Sequence, residues 1–212
     1  MITEPRLYLV RHGESEANVA GVMQGQTHGA LTAAGRDAAG RLGRALASLS
    51  VAERPTAILT SDLRRAVETA EIIAEALGAT PHLFPAAREW NVGVLDGLPA
   101  AALVDAIHRS GLPAAEFAPS GGESLSQLQV RAAQTLASLA HEAADGAHVA
   151  GRARTLLVSH GDFIRMAIGA AASMPIDEAN SLKLRNTSLT EFTLSNGTWR
   201  VERIGDASHL DK

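Results

Sequence analysis

Residues Arg6–Asn18 read RLYLVRHGESEAN. The first five, RLYLV (6–10), form a short apolar run of the length of a buried strand. The run stops at Arg11, His12 and Gly13, so a strand leaving the core delivers a guanidinium and an imidazole side by side. Two more apolar runs stop in the same chemistry. TAILT (56–60) leads into Ser61 and Asp62 and then Arg64 and Arg65, and TLLVS (155–159) leads into His160, Gly161 and Asp162. In open α/β sheets, ligands bind outside the carboxyl ends of the parallel strands. If the three runs are parallel neighbours, both histidines and at least two of the arginines converge in one crevice.

Like charges repel, more strongly where burial strips water, so such a cluster is unfavourable unless an anion fills it. Arginine forks take phosphate oxygens two at a time. Helix N-termini after Ser61 and Gly161 would add partial positive charge and N–H donors. Gly13 and Gly161 would leave room for backbone to approach a ligand. A single histidine at a strand end is more often structural than catalytic. Two His-Gly pairs, each directly after a strong apolar run, point to a phosphoryl-binding crevice.

The flanking pattern supplies the architecture. TAAGRDAAGRLGRALASL (32–49) places Leu42, Leu46 and Leu49 on one helical face. Asp62 to Leu77 carries an apolar stripe of Leu63, Val67, Ala70, Ile73, Ala74 and Leu77. HLFPA (82–86) reads as a short strand, PAAALVDAIHRS (99–110) as a helix and GLPAAEFAPSGGES (111–124) as a loop. A long helix follows from Leu125 to Ala144, with Ser124 and Gln127 in capping-box spacing at its start. ADGAHVAGRAR (144–154) reads as a surface loop, and Asp162 to Ala172 as a helix. Near the end, Asn196-Gly197 sits between two alternating runs, a hairpin signal. This alternation predicts an α/β fold: a three-layer sandwich with a mostly parallel central sheet, helices on both faces and an antiparallel C-terminal edge. One domain over 1–212 is expected. The β-branched runs argue against an all-helical fold.

Composition narrows the function. With 46% hydrophobic and 20% charged residues the chain has an ordinary soluble, globular balance. A net charge of -4 argues against a nucleic-acid surface or an anionic membrane as the main partner. The longest apolar stretch, MAIGAAASM (166–174), is too short to span a bilayer. There is no cysteine, hence no thiol nucleophile, disulfide or cysteine–zinc site. The N-terminus runs straight into a strand and does not resemble a signal peptide, so a cytoplasmic protein is the expectation. Apart from Lys183 and Lys212 the basic residues are arginines, a bias that genome composition accounts for and that decides nothing without position.

In order along the chain, RHGESEAN, SDLRRAVETA, REWNVGVLDG, SGGESL, LLVSHGDFIR and RNTSLTEF resemble the histidine phosphatase superfamily, also called phosphoglycerate mutase-like. The likeness runs from Arg6 to about Leu210. It implies that His12 is the nucleophile and forms a phosphohistidine. The other ring nitrogen must then be held by a hydrogen bond, expected to come from backbone. Arg11, Arg65 and His160 match the phosphate clamp, the S-D-L-x-R-A pattern choosing Arg65 and leaving Arg64 for the surface. Glu89 matches the proton donor. Beside arginines it should ionise easily, with the arriving phosphate dianion restoring its proton. Asn18 matches a phosphate contact. Gln24, Gly25 and Gly161 are expected around the substrate. Glu123 is expected there too, or at the positive end of the following helix. Asp62 is expected to cap its helix. His28, His82, His108, His141 and His148 lack metal-ligand spacing and are expected at the surface or in loops. Neither a metal nor a cofactor is implied.

Two segments depart from the family pattern. Members often carry Q-G-W-x-D-x-P-L-T after the first motif; here QGQTHGALT (24–32) has Gln26, His28 and Ala30 at the tryptophan, acid and proline. VLDG (94–97) stands where many have a W-E-G ending. Both segments are expected at the pocket mouth, so they bear on the substrate more than on the reaction. The phosphoglycerate mutases are typically longer, with an extra segment in the middle, and this chain is short. Its end, IGDASHL, looks like the phosphatase branch, and FAPSGGESLSQLQVRA (117–132) is similar to fructose-2,6-bisphosphatase-like members. The resemblance implies a phosphatase acting on phosphate monoesters of small metabolites. Its expected partner is a small phosphorylated metabolite, with a homodimer left open. A phosphoglycerate mutase and a noncatalytic binding protein on the same fold are the alternatives.

Overall fold

The computed structural model describes residues 4–27, 29–145 and 154–211. His28, His148 and most of the expected 144–154 loop lie outside the described residues. Six strands form one sheet: β1 (Arg6–Arg11), β2 (Ala57–Thr60), β3 (Pro81–Leu83), β4 (Arg154–Ser159), β5 (Leu189–Ser195) and β6 (Thr198–Asp206). Their order is β3-β2-β4-β1-β5-β6. The first four in that order run parallel, and β5 and β6 are antiparallel.

Apolar runs without alternation arise here because the parallel strands are buried on both faces. Leu7, Leu9, Leu59 and Leu157 join one core, to which α5 (Leu125–Asp145) adds Leu128, Leu136 and Leu139 and α6 (Gly161–Ala172) adds Phe163 and Ile168. Tyr8, Val10, Ile58, Leu156 and Val158 join the other, with Leu42 and Leu46 of α2 (Ala33–Ala47) and Ile73 of α3 (Arg64–Leu77). Helices therefore cover both faces, the three-layer arrangement expected from sequence. Smaller helices are α1 (Glu16–Ala20), α4 (Ala100–Ser110) and α7 (Ile176–Asn180).

Local chemistry fixes the ends. At the start of α5, Ser124 N donates to Gln127 Oε1 (2.8 Å) and Gln127 N to Ser124 Oγ (3.2 Å), closing the capping box. Asn196 and Gly197 turn the final hairpin with φ of 51° and 76°, the left-handed pair that a two-residue turn requires. The structure corrects two expectations and adds two short helices. Helix α3 begins at Arg64 with Leu63 as N-cap and no side-chain cap, so Asp62 does not cap it. The Asp62 carboxylate instead receives the Arg88 guanidinium with both oxygens, a charge-assisted fork stronger than a neutral cap bond. Strand β3 stops at Leu83, because Pro85, which has no N–H to give a ladder, opens a 3-10 turn. Helices α1 and α7, five residues each, were too short to show a helical period.

Register sets the site. Arg11 pairs with Ser159, and Thr60 with Val158, so the carboxyl ends of β1, β4 and β2 lie level. His12 N then donates to Ser159 O (2.9 Å) and Ser61 N to Val158 O (2.9 Å), which brings out His12, His160 and Ser61 side by side.

Candidate active site

His12 is buried at the end of β1. Its Nδ1 lies 2.7 Å from Gly13 O. A carbonyl only accepts, so Nδ1 carries the proton and Nε2 keeps its lone pair. Arg65 Nε donates to that Nε2 at 3.2 Å. Burial, followed by the charges of Arg65 and Arg11, holds the imidazole well below its ordinary pKa of 6.5, so it is neutral at neutral pH. Asn186 Nδ2 (3.0 Å) and Thr187 N (3.3 Å) both donate to His12 O and fix the main chain. Contrary to the expectation from sequence, Gly13 does not open space for a ligand. A Cβ there would stand 2.6 Å from Gly35 O, so the glycine lets the exit of β1 pack on α2.

Arg65, fully buried in the first turn of α3, has most of its fork engaged by main chain. Nη1 donates to Thr27 O (3.0 Å), and Nη2 to Gly25 O (2.8 Å) and Gln24 O (3.2 Å). Gln24 and Gly25 thus act on Arg65 through their carbonyls, leaving Nε to face His12. Burial lowers the Arg65 pKa to about 10, still a cation at neutral pH. Arg64 is exposed and pairs with Glu68 (2.7 Å). Arg11 Nη1 donates to Leu184 O (2.6 Å), while its Nε is buried without a protein partner. His160 lies with its ring centroid 5.3 Å from that of His12. Its Nε2 meets Ser61 Oγ at 2.8 Å and its buried Nδ1 has no protein partner. A Cβ on Gly161 would sit 3.5 Å from Arg11 Nε, so this glycine borders the same cup. Asn18 Oδ1 accepts from Ser15 N (3.1 Å) and Asn186 Nδ2 (3.1 Å), which ties it to the His12 carbonyl through Asn186. Buried polar atoms normally have partners. Unpartnered atoms of a guanidinium and an imidazole, beside Arg65, suit an anion with several oxygens.

Glu89 is buried, and its Oε1 accepts from Trp90 N (2.9 Å), Asp162 N (3.1 Å) and Phe163 N (3.1 Å). Two of the N–H groups at the start of α6, expected to serve a ligand, are therefore taken by this carboxylate. The expectation of easy ionisation is overturned in direction. Burial, with help from the Asp162 charge, pushes the Glu89 pKa up to about 7 against the pull of Arg65 and the two N–H groups of Trp90 and Phe163. Exclusion of water outweighs the nearby cation.

Residues 7–207 match the family model of the histidine phosphatase superfamily (branch 1). The chain belongs to the histidine phosphatase superfamily. It is 34% identical over 223 residues to a probable phosphoglycerate mutase GpmB of Erwinia tasmaniensis, covering 97% of this chain and 95% of the relative. A solved mycobacterial glucosyl-3-phosphoglycerate phosphatase is similar with a TM-score of 0.79 and 30% identity, over 95% of this chain and 98% of that one. A phosphoserine phosphatase from Entamoeba histolytica, solved with 3-phosphoglyceric acid, gives a TM-score of 0.81 at 26% identity, over 97% and 99%.

In this member of the histidine phosphatase superfamily Glu123 lies just ahead of α5, and an arginine holds it. Its carboxylate takes the Arg131 fork with both oxygens (2.6 and 3.2 Å) and also accepts from Asn91 N (3.0 Å). It acts as a brace. Arg131 itself donates to Ala86 O (3.1 Å), Arg88 O (2.7 Å) and Glu89 O (3.1 Å), and its guanidinium lies over the Phe163 ring at 5.7 Å. Sequence reasoning missed Arg131, Asn186 and Ser61. Arg131 left one signal: it is the only arginine or lysine between Arg109 and Arg152. His82, His108 and His141 are exposed, as expected. Among the described residues, no group of three His, Cys, Asp or Glu side chains could hold a metal ion. Among the same residues, no helix is long and apolar enough to cross a membrane.

Proposed function

We propose that the chain hydrolyses phosphate monoesters of small metabolites through a phosphohistidine on His12. The observation that carries this reading is the fixed tautomer, with Nδ1–H on Gly13 O and the Nε2 lone pair in a cationic cup. Nε2 attacks phosphorus, the bond from phosphorus to the leaving oxygen breaks, and Glu89 supplies that oxygen with a proton. Arg11, Arg65 and His160 offset charge on the phosphoryl oxygens, the main source of catalysis in such transfers. Water then attacks the phosphohistidine and gives its proton to the Glu89 carboxylate, which releases inorganic phosphate and restores His12. A group with its pKa near 7 can give and take a proton at neutral pH.

The solved relatives described as phosphatases support hydrolysis. The relatives named as probable phosphoglycerate mutases favour a second reading, in which the phosphoryl group returns to a different hydroxyl. That path requires water to be kept from the phosphohistidine. Turnover of p-nitrophenyl phosphate, with and without EDTA, tests the first reading. Release of phosphate, unchanged by EDTA and abolished by His12→Ala with the fold intact, is expected. Interconversion of 3- and 2-phosphoglycerate without phosphate release would favour the mutase instead.

A further inference from the structure

We infer that the leaving-group side of this site accepts the uncharged, apolar body of an alcohol, making the substrate the phosphate monoester of an apolar alcohol rather than of a carboxylate-bearing one. The inference rests on the phosphatase reading above and extends it to substrate class. A cavity of about 220 Å³ opens directly beside Glu89, the group that would meet the leaving oxygen. Met23, Trp90, Val92 and Leu103 supply its apolar walls. Trp90 and Val92 are held fully in the core, whereas Met23 and Leu103 are half-buried and can meet a ligand. Leu103 comes from α4, a helix with no fully buried residue.

Charge is divided across the site. The cations of the cup, Arg11 and Arg65, do not line this cavity, and among the described residues neither does any other lysine or arginine. Its charged or ionisable wall groups are the carboxyls of Glu89 and Asp162. A carboxylate on the leaving group would lose water there with no cation in the lining to replace it, Asp162 being paired with Arg165 (2.6 Å), which is strongly unfavourable. An apolar body gains by leaving water. A cavity of about 150 Å³ holds a benzene ring, so a body of that size fits.

The test measures kcat/KM for methyl, 2-phenylethyl and 3-glyceric (3-phosphoglycerate) phosphate esters, each of a primary alcohol. The 2-phenylethyl ester is expected to exceed 3-phosphoglycerate by roughly tenfold or more, the scale on which pockets sort such groups. Leu103→Arg should lower the 2-phenylethyl value and raise the 3-phosphoglycerate value, so that their ratio falls by roughly tenfold or more. Equal or better turnover of 3-phosphoglycerate by the unaltered protein, or a ratio indifferent to Leu103→Arg, would overturn the inference. Loss of all hydrolysis, methyl and p-nitrophenyl phosphate included, would instead sink the phosphatase reading on which it stands.

Discussion

Glu89 and His12 are pushed in opposite senses by the same burial, because one ionises to an anion and the other to a cation. The signs then follow. Glu89 with its pKa raised to about 7 keeps its proton below that pH and loses it above. His12, held well below 6.5 by burial and the charges of Arg65 and Arg11, is still a neutral nucleophile at that pH. For an alkyl phosphate, kcat/KM should fall as pH rises through about 7 and show no acid limb at 6.5 from His12. Glu89→Gln should remove that descending limb and lower the alkyl rate by roughly 10²- to 10⁴-fold. The loss should be smaller for p-nitrophenyl phosphate, whose leaving group needs no proton. pH–rate profiles on the two substrates check this. The identities of His12, Arg65 and His160 could be read as short motifs at strand ends. The titration of Glu89 could not, because arginines nearby in sequence are visible and exclusion of water is not.

Among the elements, α5 acts on the Glu89 carboxyl through the main chain that carries it. Arg131 reaches three carbonyls of the 86–89 segment and is itself anchored by Glu123, so one side chain fixes the main chain that carries Glu89. Hydrogen bonds involving a charged group contribute about 1.5–3 kcal/mol. Arg131→Ala should therefore lower the melting temperature. It should also cut kcat/KM for alkyl phosphates more than for p-nitrophenyl phosphate, a contrast that loss of stability alone does not produce. Arg131→Lys should rescue little, because an ammonium lacks the planar fork. Thermal denaturation paired with the two substrate rates gives the measurement. The helix α5 was legible in the sequence, and its cap from Ser124 and Gln127. Its clamp on a segment some forty residues earlier was not, since no local period records a contact across a loop. The reverse holds for β1, β2 and β4, where burial on both faces writes a continuous apolar run into the sequence. Helices α1 and α7 leave no comparable trace.

For the molecule as a whole, the cup exists because sheet order differs from chain order. Strand β4, late in the chain, lies between β1 and β2, and this insertion sets His160 beside His12 and Ser61. The sequence could mark each strand end as unusual, but the neighbourhood of the three depends on crossovers that no single motif encodes. The gathered cations repel one another in the folded chain and are scattered in the unfolded one, so an anion that binds the cup stabilises only the folded state. Phosphate or vanadate at about 100 times its dissociation constant should add about 2.7 kcal/mol. For a chain of this size each kcal/mol moves the midpoint by about 2–4 °C, so a rise of roughly 5–10 °C is expected. Chloride at equal ionic strength should give little of it, because screening lacks the oxygens that Arg11 Nε and His160 Nδ1 can reach. Arg11→Met removes one of those donors and should shrink the vanadate shift while leaving the chloride response alone. Differential scanning fluorimetry with both salts reads the difference, and a vanadate shift that persists undiminished in Arg11→Met would mean that the anion sits outside the cup formed by the three strand ends.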